Sequence, residues 1–143
     1  MANIHKFTDN VRTTYGGLTT SLGNETGDLI TSALFVDMKN YDLVVGVGIA
    51  TGIASAKVVT LRAYEATTTA GAGSASLAAN DTFTAAATSD TDQLVCQVRG
   101  EDLSAGFQYV GFKLSVNDST SAGIAGLVQH AMRARYKQAT MPA

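Results

Sequence analysis

A chain of 143 residues and 14.8 kDa suits one domain, and at that size folding removes roughly 70% of the unfolded surface from water without staples. Ten Lys and Arg against twelve Asp and Glu leave a net charge of -2, so electrostatics imply no nucleic-acid partner. The lone Cys96 excludes an intrachain disulfide and a structural zinc site.

Residues 1–32 are rich in Thr, Gly and Asn, with scattered apolar side chains. This composition predicts an extended N-terminal arm holding one or two short strands, around Ile4 to Phe7 and Leu18 to Leu22. Met1 to Phe7 lacks the apolar core of a signal peptide, so secretion by that route is not expected. Leu29 to Met38 fits a helical stripe through Leu29, Ala33 and Val36, but Phe35, Val36 and Met38 running into Lys39-Asn40 favour a strand entering a turn.

Tyr41, Leu43, Val45, Val47 and Ile49 fall at every second position, which predicts a strand with these side chains facing one core. A second run, Val58 to Glu65, follows a short Gly/Ala/Ser loop, and the two are expected to be neighbouring antiparallel strands. The apolar run from Leu43 to Ala56 is broken by glycines and is shorter than the roughly 20 residues of a spanning helix, so no membrane partner is expected.

Thr67 to Ser76, with Gly71 and Gly73, reads as a long surface loop. Leu77 to Ala87 has two large apolar residues and predicts a short edge strand. Gln93 to Arg99 alternates, setting Leu94, Cys96 and Val98 on one side; Phe107 to Val116 does the same with Val110, Phe112, Leu114 and Val116. In the last run Ile124, Gly126, Val128, His130 and Met132 share a face opposite Leu127, Gln129, Ala131 and Arg133, and a helix from Ala125 to Tyr136 is the competing reading. Six or seven strands at hairpin spacing without a strong helix predict an all-β antiparallel sandwich or jelly roll over residues 33–143, ending in a short basic tail.

Chemistry-bearing patterns are absent or decoys. Gly46, Gly48 and Gly52 are spaced G-x-G-x-x-x-G and precede a β-rich run, not a helix that could meet a phosphate. His5 and His130 have no metal-ligand spacing, and Ser104, Ser119 and Ser121 have no nucleophile elbow. Asp90, Asp92, Glu101 and Asp102 do not supply the spaced oxygens of a calcium loop. Cys96 sits inside an apolar strand, where a buried, inert thiol is expected. No catalytic residue, cofactor or metal is expected, and the chain is read as a non-enzyme.

Phe35-Val36-Asp37-Met38-Lys39-Asn40-Tyr41-Asp42 and the alternating run to Ile49 resemble a group of small structural proteins of tailed-bacteriophage genomes. The likeness continues through Leu61-Arg62-Ala63-Tyr64-Glu65, Val98-Arg99-Gly100-Glu101-Asp102-Leu103, Gly106-Phe107-Gln108-Tyr109-Val110 and Ala134-Arg135-Tyr136, covering about residues 33 to 137. The resemblance implies a capsid decoration, or cement, protein of jelly-roll or β-tulip type. Such a protein is made in the host cytoplasm, sits as a homotrimer on the outer capsid surface and clamps neighbouring major capsid proteins.

The expected contacts to capsid or protomer are Ile4, Phe7, Tyr15, Leu18 and Leu22 in the arm and Arg133 and Arg135 in the tail. A trimer would cover Val44, Val95 and Leu127 on outer faces. The alternative is a phage tail or receptor/glycan-binding sandwich module.

Overall fold

The computed structural model describes residues 11–20, 22–23, 30–32, 34–88, 90–118 and 123–134. They form two antiparallel sheets facing each other across one core. Strands β1 (Val11–Thr19), β9 (Ile124–Ala134), β4 (Tyr41–Thr51) and β7 (Thr91–Arg99) make a four-stranded sheet in that spatial order. The second sheet runs β2 (Ile30–Thr31), β8 (Tyr109–Val116), β5 (Val58–Ala66), β6 (Ala75–Thr84), and β3 (Val36–Asp37) also pairs with β8. With β2 and β3 counted as one interrupted strand, the orders become 1-8-3-6 and 2-7-4-5, the double Greek key of a jelly roll. The all-β jelly-roll class expected from the alternation is the fold observed. β9 is a strand, not the competing helix.

Three expectations are corrected. β4 and β5 are not a hairpin: residues 52–57 carry the chain from one sheet to the other, β4 pairing with β7 and β9 and β5 with β6 and β8. Alternation fixes which side chains share a face but not which strand lies alongside.

The phase of β4 is also reversed. Its core side carries Val44, Gly46, Gly48 and Ala50, all buried, while Leu43, Val45 and Val47 are half-buried and Ile49 is exposed. The reason lies in the opposite sheet. A Cβ on Gly46 would sit 2.5 Å from Phe112 Cγ, and one on Gly48 would sit 3.1 Å from Leu114 Cδ1. Phe112 and Leu114 are fully buried and fill the space that two missing side chains leave.

Finally, residues 11–19, expected in an extended arm, are the edge strand β1, paired with β9 from Val11↔Met132 to Thr19↔Ala125. Leu22, expected as an external contact, is buried in the core. Its N–H donates to Gly123 O at 2.9 Å, and Gly23 O accepts from Val116 N at 3.0 Å, so this short stretch bridges the two sheets and carries Leu22 inward. The proposed strand at Ile4 to Phe7 lies outside the described residues.

A polar staple ties the same N-terminal region to the core. Ser32 Oγ accepts from Phe112 N at 2.8 Å and donates to Gln129 Oε1 at 3.0 Å, while Gln129 Nε2 donates to Leu34 O. Gln129 is fully buried, and these partners satisfy it. On the opposite flank, β6 runs ten residues as an edge strand, longer than its sparse apolar content predicted. Its Leu77, Ala79, Asp81 and Phe83 point inward and are half-buried. Asp81 Oδ2 accepts from Val95 N at 2.8 Å, which occupies an N–H of the edge strand β7.

Cys96 is buried on the core side of β7. Burial pushes its thiol up from 9.0 to about 11, opposed by a hydrogen bond from the Ala63 backbone and reinforced by the Asp81 carboxylate. The unfolded thiol ionises first as pH rises, so the folded state holds the extra proton between these values and stability falls from pH 9 toward pH 11. A series of urea unfolding midpoints across that range is expected to fall more steeply for the native chain than for Cys96→Ala. Ellman's reagent is expected to leave the native thiol unmodified at pH 8 until urea unfolds the chain.

The sockets in β4 make a second prediction. Gly46→Ala is expected to lower the free energy of unfolding by about 1–3 kcal/mol through overpacking against Phe112. An unchanged urea midpoint would show that the Phe112 ring can move aside.

Candidate functional site

The feature that departs most from an ordinary sandwich is the outside of the four-stranded sheet. An antiparallel sheet with one face on the core usually presents polar side chains on the other. Here register aligns Tyr15, Val128, Val47 and Val95 in one row across all four strands. The next row is Leu18, Gly126, Ile49 and Gln93. On the other side of the Val47 row lie Thr13, His130, Val45 and Gln97, then Val11, Met132, Leu43 and Arg99. These four rows contain no acid, and Arg99, at one corner, is their one permanent cation.

Five of the large apolar side chains most exposed among the described residues are on this side. Relative accessibility is 74% for Leu18, 56% for Tyr15, 54% for Ile124, 49% for Ile49 and 47% for Val95. Two local features create the patch. In β4, Gly46 and Gly48 take core positions and leave Val45, Val47 and Ile49 outside.

In β1, a bulge between Tyr15 and Gly17 inserts one residue and shifts the alternation. Tyr15 and Leu18 therefore both face outward, although they are separated by an odd number of steps. Gly16 is buried at the bulge, where a Cβ would lie 2.6 Å from Leu127 Cγ. Leu18 then lies across Gly126, whose own Cβ would be 2.9 Å from Leu18 Cδ2. Polar features are sparse: Thr13 Oγ1 and His130 Nδ1 are 3.0 Å apart, and Arg99 Nη1 lies 3.7 Å from Glu101 Oε1 in a solvent-exposed pair of little energetic weight.

The outside of the other sheet is different in kind. Thr60, Arg62 and Tyr64 on β5 lie beside Asn80 and Thr82 on β6 and Lys113 on β8. Lys113 Nζ stands 4.1 Å from the Tyr64 ring centroid and covers that ring. Phe35 closes the end of this sheet by packing onto Gly71 and Gly111, where a Cβ would come within 2.5 and 2.6 Å of its ring.

A cleft of about 210 Å³ opens between β1 and β3, lined in part by Arg12, Thr14, Leu34, Val36, Tyr41 and Gln129. Its polar wall is largely committed to structure. Gln129 belongs to the Ser32 staple, and Asp37 Oδ1 accepts from Lys39 N at 2.9 Å and Gln108 Nε2 at 2.8 Å. Among the described residues no group of three or more His, Cys, Asp or Glu side chains could hold a metal ion.

Of the expected contact residues, Tyr15 and Leu18 are brought together on the apolar face, and Leu22 is withdrawn into the core. Arg133 belongs to β9, with its side chain outside the described set, and Ile4, Phe7 and Arg135 lie outside the described residues. Val44 and Leu127, expected on outer faces, are fully buried, whereas Val95 is exposed as expected. The missed members are Val45, Val47 and Ile49. Their signal was the adjacent pair Val44-Val45, which makes β4 apolar on both sides and leaves alternation unable to choose the core face.

No family model matches the chain, and no curated protein matches it. Among solved structures, the CBM22-1 and GH10 modules of the Clostridium thermocellum endo-1,4-β-D-xylanase 10B, complexed with xylohexaose, align at 8% identity and a TM-score of 0.49 over 94% of this chain and 28% of that one. The C-terminal carbohydrate-binding module of a Zobellia galactanivorans laminarinase gives 10% identity, a TM-score of 0.42, and coverage of 85% and 99%. The enzymatically active domain of tailspike protein 4 of bacteriophage CBA120 gives 10% identity, a TM-score of 0.44, and coverage of 88% and 20%. The chain thus spans less than a third of the xylanase and tailspike chains. These values leave the reading of function to the chain's own residues.

The assignment of faces makes a direct prediction. In dilute solution, Ile49→Lys is expected to change the unfolding free energy by no more than about 0.5 kcal/mol, as a surface substitution does. Val44→Lys, which buries an unpaired charge, is expected to prevent folding. Circular dichroism and urea titration of the two variants report the contrast, and a reversed order would exchange the inner and outer faces of β4.

Proposed function

We propose that this chain is a structural, non-enzymatic protein of a phage particle, which adheres to the outer capsid surface and strengthens the shell by bridging neighbouring major capsid subunits. The observation that carries this reading is the broad, acid-free apolar face on the four-stranded sheet, set against a polar face on the other. A contiguous apolar patch of several hundred Å² is costly to leave in water and marks a surface that functions covered. The resemblance of the Phe35 to Asp42 and Val98 to Leu103 motifs to capsid decoration proteins supplies the kind of assembly.

Adhesion suits this role physically. Packed DNA presses outward on a mature head, and subunits joined by an external bridge must break that additional interface before they separate. Many modest contacts distributed over one shell act together, so each need not be strong.

The composition of the face favours a protein partner over a glycan. Sugar recognition relies on flat aromatic rings and converging hydrogen-bonding groups. Tyr15 is the one aromatic residue in the four rows, and the Tyr64 ring on the opposite sheet is already covered by Lys113. β-Branched aliphatic side chains instead suit close packing against another protein surface.

Emptied, undecorated heads of the phage that encodes the chain provide the test. Saturable co-sedimentation and a higher temperature of head breakage are expected on adding the protein. Absence of co-sedimentation, together with selective retention on a glycan array, would replace the capsid reading with the sugar-binding one.

A further inference from the structure

We infer that the outer face of the four-stranded sheet is where a second copy of this chain packs, face to face, about a twofold axis lying along the row Tyr15, Val128, Val47 and Val95. The inference rests on the reading of that face as one that functions covered: it takes a second copy as the cover and leaves the capsid contacts of the pair to its remaining surface.

Size is the first support. Four strands about 4.8 Å apart, with outward positions about 6.8 Å apart, five on β9, β4 and β7 and four on β1, give a flat projection of roughly 600 Å². Side-chain relief raises the accessible area toward the roughly 800 Å² per partner of a standard stable interface. A flat sheet face is buried most completely by another flat sheet face, in the way the two sheets inside one sandwich bury each other.

Charge is the second. An isologous contact places one patch against itself, so any charge near the axis meets its own copy. The rows hold no acid, and Arg99 lies two rows from the axis at the edge strand, where the rotation sets it against an uncharged position near Thr91. Nothing in the patch repels its own image.

The third support concerns the threefold arrangement that the decoration-protein resemblance implies. A threefold ring is heterologous and joins one patch to a different, complementary one. Among the described residues the other broad surface, on β5, β6 and β8, carries Arg62, Lys113, Asn80 and Thr82 and is polar. One apolar patch of this shape is satisfied by a pair.

The test uses free protein, without heads. Sedimentation velocity is expected to give a concentration-dependent species of twice the chain mass, insensitive to salt. Val47→Glu is expected to return it to monomer at the same concentration. A second variant, Ile49→Lys with Val95→Lys, guards against a folding defect in the first, and circular dichroism confirms that each remains folded.

A short bismaleimide is expected to join Val47→Cys chains to one another while leaving Thr82→Cys chains, on the polar sheet, unjoined. Cys96 is buried and does not compete. Monomer at all concentrations, a trimer, an oligomer that both charge variants leave intact, or no crosslink at position 47 would each overturn the pair. Because heads are absent, failure here leaves head binding standing, and failure to bind heads leaves the pair standing.

Discussion

Two side chains of one sheet seated in two gaps of the other hold this sandwich in its observed arrangement. Phe112 and Leu114 on β8 occupy the space over Gly46 and Gly48 on β4. The contact sets how closely the sheets approach and, because side chains alternate, decides the direction of every other residue in β4. Leu43, Val45, Val47 and Ile49 are turned outward as a geometric consequence. The same pair of glycines therefore accounts for the density of the core and for the unusual surface. Larger side chains at those positions would have to be met by smaller ones on β8, and the apolar set would lose its reason to lie outside.

Secondary closures finish the structure around that contact. The Ser32 and Gln129 staple ties the N-terminal crossing to both sheets, and buried polar groups satisfied in this way favour one arrangement over its competitors. Leu22 adds apolar weight at the same side. The Asp81 carboxylate closes part of the opposite flank by taking a β7 N–H that could otherwise pair with a foreign strand. One N–H of that edge is thus occupied, while the outer face of the same sheet stays open.

The β class and most strands were legible in the sequence, since β5, β7, β8 and β9 alternate clearly; the core sides of β5, β7 and β8 follow from it, whereas Leu127, on the core side of β9, was expected outside. Two further things were not legible. In β4 both faces are apolar, and the choice between them depends on Phe112, more than sixty residues away along the chain; local periodicity holds no record of that contact. In β1 the low apolar content suggested an arm, because the edge strand of a jelly roll buries little and is held largely by main-chain pairing to β9, which any composition permits. The outward row was half visible, as Ile124, Val128 and Met132 were grouped correctly on β9. Its partners on β4 were assigned to the core and Tyr15 and Leu18 to an arm, so the patch as a whole could be assembled only once the register was known.

The register also orders events in time. β9, last of the strands in chain order, lies between β1, the first, and β4, and Val11 pairs with Met132 across nearly the whole chain. Such distant pairing closes late in folding. On a ribosome, the greasy platform cannot exist until β9 has been synthesised and threaded into its slot. A nascent chain that stops short of β9 therefore lacks the apolar face, which appears only once β9 has been made and seated between β1 and β4.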